Sequence, residues 1–113
     1  MATEPRLAAD FWVRAYLARL GLANIPAYIT HRGDATAGAV LVKCATLDGR
    51  ARALHRSFEL ASGALVWVTL AEGPEAEVDA AIARQRRYDS DLWVIEIESR
   101  DGRTLLDEPG LSG

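Results

Sequence analysis

Residues 39–70 read AVLVKCATLDGRARALHRSFELASGALVWVTL, three apolar-rich runs divided by Asp48-Gly49 and Ser62-Gly63. Asp-Gly and Ser-Gly steps supply the positive φ angles that tight hairpin turns require. The stretch therefore predicts an antiparallel meander, with strands at 39–46, 51–59 and 64–70. The outer two runs are apolar at both parities, as in interior strands covered on both faces. The middle run alternates instead. Arg52, Leu54, Arg56 and Phe58 share one face, and Ala51, Ala53, His55 and Ser57 share the other.

Upstream, residues 6–22 place Leu7, Phe11, Trp12, Ala15, Tyr16 and Leu20 at steps of three and four, the spacing of an amphipathic helix. Pro5 suits its first turn and Gly21 its C-terminal cap. Asn24-Ile25-Pro26 breaks the helix before a short strand at 27–31, and residues 32–38 form a loop of small residues. Downstream, Gly73-Pro74 opens a second helix over 74–87. Glu75, Glu77 and Asp79 lie at its start and Arg84, Arg86 and Arg87 at its end, as the helix dipole favours. Val78, Ala81, Ile82 and Gln85 form its inward stripe. A strand at 92–98 puts Trp93, Ile95 and Ile97 on the core side, Asp101-Gly102 signals a further hairpin, and a last strand falls near 103–106.

The order α-β-β-β-β-α-β-β predicts an α+β fold, a mainly antiparallel sheet with two helices packed on one face. Residues 1–106 are expected to form one domain and 107–113 a frayed tail. Trp67 and Trp93 are expected to form a central cluster beneath the Phe11-Trp12 helix.

The 113 residues are half apolar and carry a net charge of −3, a balance that disfavours general affinity for nucleic acid or an anionic membrane. Twelve arginines stand against a single lysine, Lys43. The single cysteine, Cys44, cannot form an internal disulfide and fits a reducing compartment. With neither a secretory signal nor an apolar run of about 18 residues, the expected location is cytoplasmic and no membrane is expected as partner.

Chemical motifs are absent. No Cys-x-x-Cys, His-x-x-x-His or Glu-x-x-His spacing offers a metal site, no serine has the glycine surround of a nucleophile elbow, and no cofactor motif occurs. No catalytic residue is assigned. The candidate ligand-binding residues are Arg32 and Asp34, in the glycine-flanked 31–38 loop, with Lys43. Arginine and backbone N–H groups in such a loop can hold a carboxylate or phosphate. Lys43 itself is expected to snorkel at a strand end or to blunt an exposed edge.

The blocks RGDATAGAVLVK (32–43) and DLWVIEIE (91–98), the latter followed by Gly-Arg and Leu-Leu-Asp, resemble the DUF1491 family of small alphaproteobacterial proteins, a domain of unknown function. The resemblance covers nearly the whole chain. It implies a cytoplasmic bacterial protein and brings no activity, cofactor or catalytic residue. Two functional expectations follow from the residues. The first is a non-enzymatic interaction module that forms a homodimer, because two helices on one face leave the other face of the sheet uncovered. The alternative is a small hydrolase or transferase acting on an anionic substrate, with Arg32, Asp34, Lys43 and His31 or His55 in one cleft.

Overall fold

A computed structural model describes residues 7–111; Pro5 and Arg6 lie outside the described residues. The elements run α1 (Ala9–Leu22), β1 (Ala27–His31), β2 (Val40–Ala45), β3 (Arg50–Phe58), β4 (Leu65–Pro74), α2 (Glu75–Tyr88) and β5 (Trp93–Glu98). The α+β class is as the sequence predicts. The strand expected near 103–106 is not formed: Ser99–Thr104 turns through Gly102 at φ 70°, and the chain leaves the sheet.

The meander forms as its turns dictate. Asp48 Oδ1 accepts from the Arg50 N–H (3.1 Å) and from the Thr46 hydroxyl (2.6 Å), and Gly49 takes φ 85°. β2, β3 and β4 then pair antiparallel in sequence. The spatial order is β1-β5-β2-β3-β4, so the last strand lies between the first two. It runs antiparallel to β1 and parallel to β2.

That register sorts the side chains onto two faces. Val42, Leu54 and Ile95 are cross-strand partners on one face, joined by Cys44, Trp93 and Ile97. α1 covers this face with Trp12, Val13, Tyr16 and Leu20. Leu41, Ala53 and Val94 face the other way and pack beneath Val78 and Ile82 of α2. The helices thus sit on opposite faces, which corrects the expectation that both share one. Strands that are apolar at both parities need a cover on each side, and each helix supplies one.

The segment expected to fray is docked as far as Leu111. Leu105, Leu106 and Leu111 are buried on the α1 face. The Tyr16 hydroxyl donates to the Thr104 carbonyl (2.8 Å), Trp67 Nε1 donates to the Leu111 carbonyl (3.0 Å), and Arg19 holds Glu108 through two bonds of 2.9 Å. The chain's last apolar residues therefore complete the cover that α1 begins; residues 112–113 lie outside the described residues. The aromatic cluster differs in detail from expectation. Trp93 is buried, while Trp67 is half-buried and meets Trp12 at 5.6 Å between ring centroids. Trp12 in turn stacks on Tyr16 at 5.0 Å, while Phe11 is half exposed.

Trp93 is expected to be the most sensitive of these residues. Its truncation to alanine should cost roughly 3–5 kcal/mol by the usual penalty for emptying an aromatic site. Arg86→Ala, on an exposed helix end, should shift the urea midpoint little. A Trp93→Ala protein with a near-wild-type midpoint would contradict its place in the core.

Candidate functional site

The 32–38 loop, the leading site candidate from sequence, has its polar groups engaged within the fold. The Ala9 and Asp10 N–H groups at the start of α1 donate to the carbonyls of Thr36 (3.1 Å) and Ala35 (2.9 Å). Helix N-termini leave such donors unsatisfied, and here the loop backbone takes the place of a side-chain cap. Asp34 uses Oδ2 to accept the N–H groups of Thr36 (3.1 Å) and Ala37 (2.8 Å), its own N–H donates to the Asp91 carbonyl (2.9 Å), and its carbonyl accepts the Trp93 indole N–H (2.8 Å).

The glycines serve the same contact. A Cβ on Gly33 would lie 2.1 Å from the Asp91 carbonyl oxygen and 2.6 Å from Trp93 Cδ1, and one on Gly38 would lie 2.5 Å from that same oxygen. Both glycines are needed for backbone-to-backbone approach rather than for room around a ligand.

Arg32, Asp34 and Lys43 are not brought together. The Arg32 guanidinium lies 5.6 Å from the Trp93 ring centroid, on the α1 side. Asp34 is exposed on the loop. Lys43 lies on the α2 side, in the third of five strands, and is only 5% exposed. His31 accepts from Arg86 (2.9 Å) at the exposed end of α2, and His55 lines a cavity at the end of the sheet.

Lys43 neither snorkels nor guards an edge. Its Nζ is held by Asp79 Oδ1 (2.7 Å), Glu75 Oε2 (2.8 Å) and Glu96 Oε1 (3.3 Å). Glu96 is its register partner on β5, and the other two project from the first turns of α2. Burial pushes the ammonium's pKa down, but the bonds from Asp79 and Glu75 and the charge of Glu96 outweigh it, and the net shift is upward. A lysine held in its charged form is a tie between layers, not a nucleophile, which needs a depressed pKa. No group of three or more metal-ligating side chains with metal-site geometry occurs among the described residues.

Among the concavities of the described residues, two lie beside Trp12 and Trp67. A cleft of about 590 Å³ runs between the β3–β4 hairpin and the C-terminal segment, with Arg52, Trp67, Arg103 and Asp107 in its walls. A cavity of about 310 Å³ lies at the end of the sheet where α1 begins and α2 ends, lined by Trp12, Leu41, His55, Arg56, Gln85 and Leu92. Sequence reasoning missed Trp12 and Arg56. Arg56 places its guanidinium 4.6 Å from the Trp12 ring centroid and 4.9 Å from that of Trp67. The only sequence signal was an arginine on the apolar face of β3.

Lys43→Met should destabilise the protein by roughly 1.5–3 kcal/mol, the worth of hydrogen bonds to charged groups, because it leaves three carboxylates facing one another. Half-exposed partners keep the loss below that of a fully buried pair. The sign with pH follows from the raised pKa. The contribution is fully present below the ordinary 10.5 and is lost as pH climbs from there through the folded-state value. Urea midpoints between neutral and strongly alkaline pH should fall for the wild type and lose this component in the variant.

A family model described as "Protein of unknown function (DUF1491)" matches residues 7–107. A DUF1491 family protein from Caulobacter crescentus, solved as a crystal structure, is 40% identical, covers 91% of this chain and 95% of its own, and superposes with a TM-score of 0.79. An NMR structure of a DUF1491 family protein from the same organism gives 40% identity, coverage of 91% and 94%, and a TM-score of 0.78. Protein Atu0922 from A. tumefaciens, a solution structure, is 30% identical over 84% of this chain and 87% of its own, with a TM-score of 0.70. No curated protein matches the chain. Sequence, fold and a match from Leu7 to Asp107 agree: the chain belongs to the DUF1491 family, whose function is unknown.

Proposed function

We propose that this chain is a non-enzymatic, cytoplasmic interaction module that pairs with a second copy of itself through strand β4. The observation that carries the proposal is the open edge of the sheet. β4 is the outermost strand, ten residues long, and Leu65–Leu70 (LVWVTL) contains neither a charge nor a proline. Sheet edges are ordinarily blunted by such residues, by shortness or by a covering element, because their outward N–H and C=O groups template pairing with another chain. The opposite edge, β1, is five residues long and follows Pro26.

The turn beside β4 adds apolar surface. Phe58 is 61% exposed and Leu60 fully so. Each face of the sheet already has its helix, so self-association has an edge to use rather than a face. An antiparallel β4–β4 pair about a twofold axis is isologous and closes after two copies, the commonest symmetry of oligomers. The single cysteine is buried and free, which suits a reducing compartment, and no described helix is long and apolar enough to cross a membrane. A hydrolase or transferase acting on an anion would need Arg32, Asp34 and Lys43 in one cleft, and they lie on different sides of the sheet.

Light scattering at micromolar concentration tests the proposal. The wild type should give twice the chain mass. Val66→Lys, which sets a charge on the pairing strand, should give the mass of one chain with an unchanged circular dichroism spectrum. A wild type that remains a single chain removes the proposal. So does a Val66→Lys protein that still runs as a dimer.

A further inference from the structure

We infer that the two copies are set in register by a reciprocal ion pair, Glu77 of each meeting Arg84 of the other along the outer flank of α2. The inference rests on the reading of β4 as the pairing edge, and it adds a second element to that interface.

α2 has three working sides. Val78, Ala81 and Ile82 are buried against the sheet. Glu75 and Asp79 turn toward Lys43 of β2, and Arg86 reaches His31 of β1, so that flank looks toward the middle and far side of the sheet. At 3.6 residues per turn the opposite flank carries Glu77, Arg84 and Tyr88. It overlooks β4: a Cβ on Gly73 would lie 3.8 Å from Glu77 Oε2. All three side chains are exposed, and the charged groups of Glu77 and Arg84 have no partner among the described residues.

The height of α2 on the sheet suits this use. Asp79 is level with Ala71, because it holds Lys43, whose register partner Ala53 pairs in turn with Ala71. Gln85 lines the same cavity as Leu65, at the other end of β4. The middle of the helix thus lies abreast of the middle of the strand. Pairing β4 antiparallel with its copy sets a twofold axis perpendicular to the sheet at that level. Both α2 helices then lie on one face and run antiparallel. Glu77 and Arg84 stand on either side of the helix's middle, with Ala80 and Ala81 between them, so each comes level with the opposite charge of the other copy.

Neighbouring strands are about 4.8 Å apart, and α2 rests on β3 and β4, which sets the two helices roughly 10–15 Å apart. A glutamate and an arginine extended toward each other span such a gap. The charges also choose the direction. Side by side in parallel, the helices would set Glu77 against Glu77 and Arg84 against Arg84, a costly arrangement at an interface.

Sedimentation equilibrium of the full chain over a dilution series is the test. Glu77→Arg and Arg84→Glu each bring like charges together twice across the axis. Each should weaken dimerisation by about tenfold or more, with an unchanged circular dichroism spectrum. An equimolar mixture of the two variants restores both opposite-charge pairs and should form a heterodimer about as tight as the wild type. Glu77→Gln, which keeps the side chain's shape, should lose most of the weakening that added salt produces in the wild type. Single variants that dimerise as well as the wild type overturn the inference and leave the β4 reading in place. A mixture no tighter than either variant alone, or an unchanged salt dependence in Glu77→Gln, does the same. A wild type that is a single chain at every concentration removes both readings.

Discussion

Between Gly33 and the carbonyl of Asp91 there is no space for a single added carbon, and much of the molecule is positioned by that contact. Because the loop backbone lies against the entry to β5, the Asp34 N–H donates to the Asp91 carbonyl and the Asp34 carbonyl accepts from the Trp93 indole. The neighbouring carbonyls of Ala35 and Thr36 then face the first turn of α1. One loop thus sets the start of the helix, the orientation of the largest core side chain and the position of the strand that separates β1 from β2. The features that made this segment look like an anion site in the sequence, small residues with an arginine and an aspartate, are those of a chain packed tightly against itself.

The two faces of the sheet are held by different physics. The α1 face is an apolar and aromatic layer closed by the returning C-terminal segment. The α2 face is a smaller, aliphatic layer without aromatics, and beside it a buried ammonium meets carboxylates from β5 and from two successive turns of α2. Apolar packing tolerates sliding, since one leucine contact resembles another. An ion cluster with contacts near 2.7 Å does not. Its contribution here is to register, fixing the height at which α2 crosses the sheet, and buried polar groups have their best-attested use in that role.

Local chemistry was readable from the sequence, and non-local arrangement was not. The Asp-Gly and Ser-Gly turns, the alternation along β3 and the opposite charges at the ends of α2 are properties of neighbouring residues, and each element they imply is present near its expected bounds. The insertion of β5 between β1 and β2 joins strands separated by more than sixty residues at one edge and nearly fifty at the other, and hydrophobic periodicity carries no information on which strands are neighbours. Lys43 was conspicuous as the chain's one lysine, but its partners lie on elements that only the fold brings near. Leu105 and Leu106 were visible as the apolar end of an expected strand, and Leu111 as an apolar residue in a Pro-Gly context that suggested fraying. The missing fact was that part of the α1 face awaited them. Trp12 and Arg56 showed nothing in sequence beyond an ordinary helix face and an ordinary strand arginine.

The position of β5 also bears on how the protein comes into being. During synthesis the chain delivers β1 and β2 early, but the strand that joins them is the last of the sheet to be made. Until residue 98 has cleared the ribosome, β1 has no partner and β2 has only β3. The β2–β3–β4 meander and α2 can associate as they appear, since their contacts are local, whereas closing the sheet waits on pairings of high sequence separation. Until β5 has emerged, the nascent chain therefore holds an apolar strand, VLVKCA, open on one side. Such an edge is a target for aggregation or for a chaperone until β5 closes it.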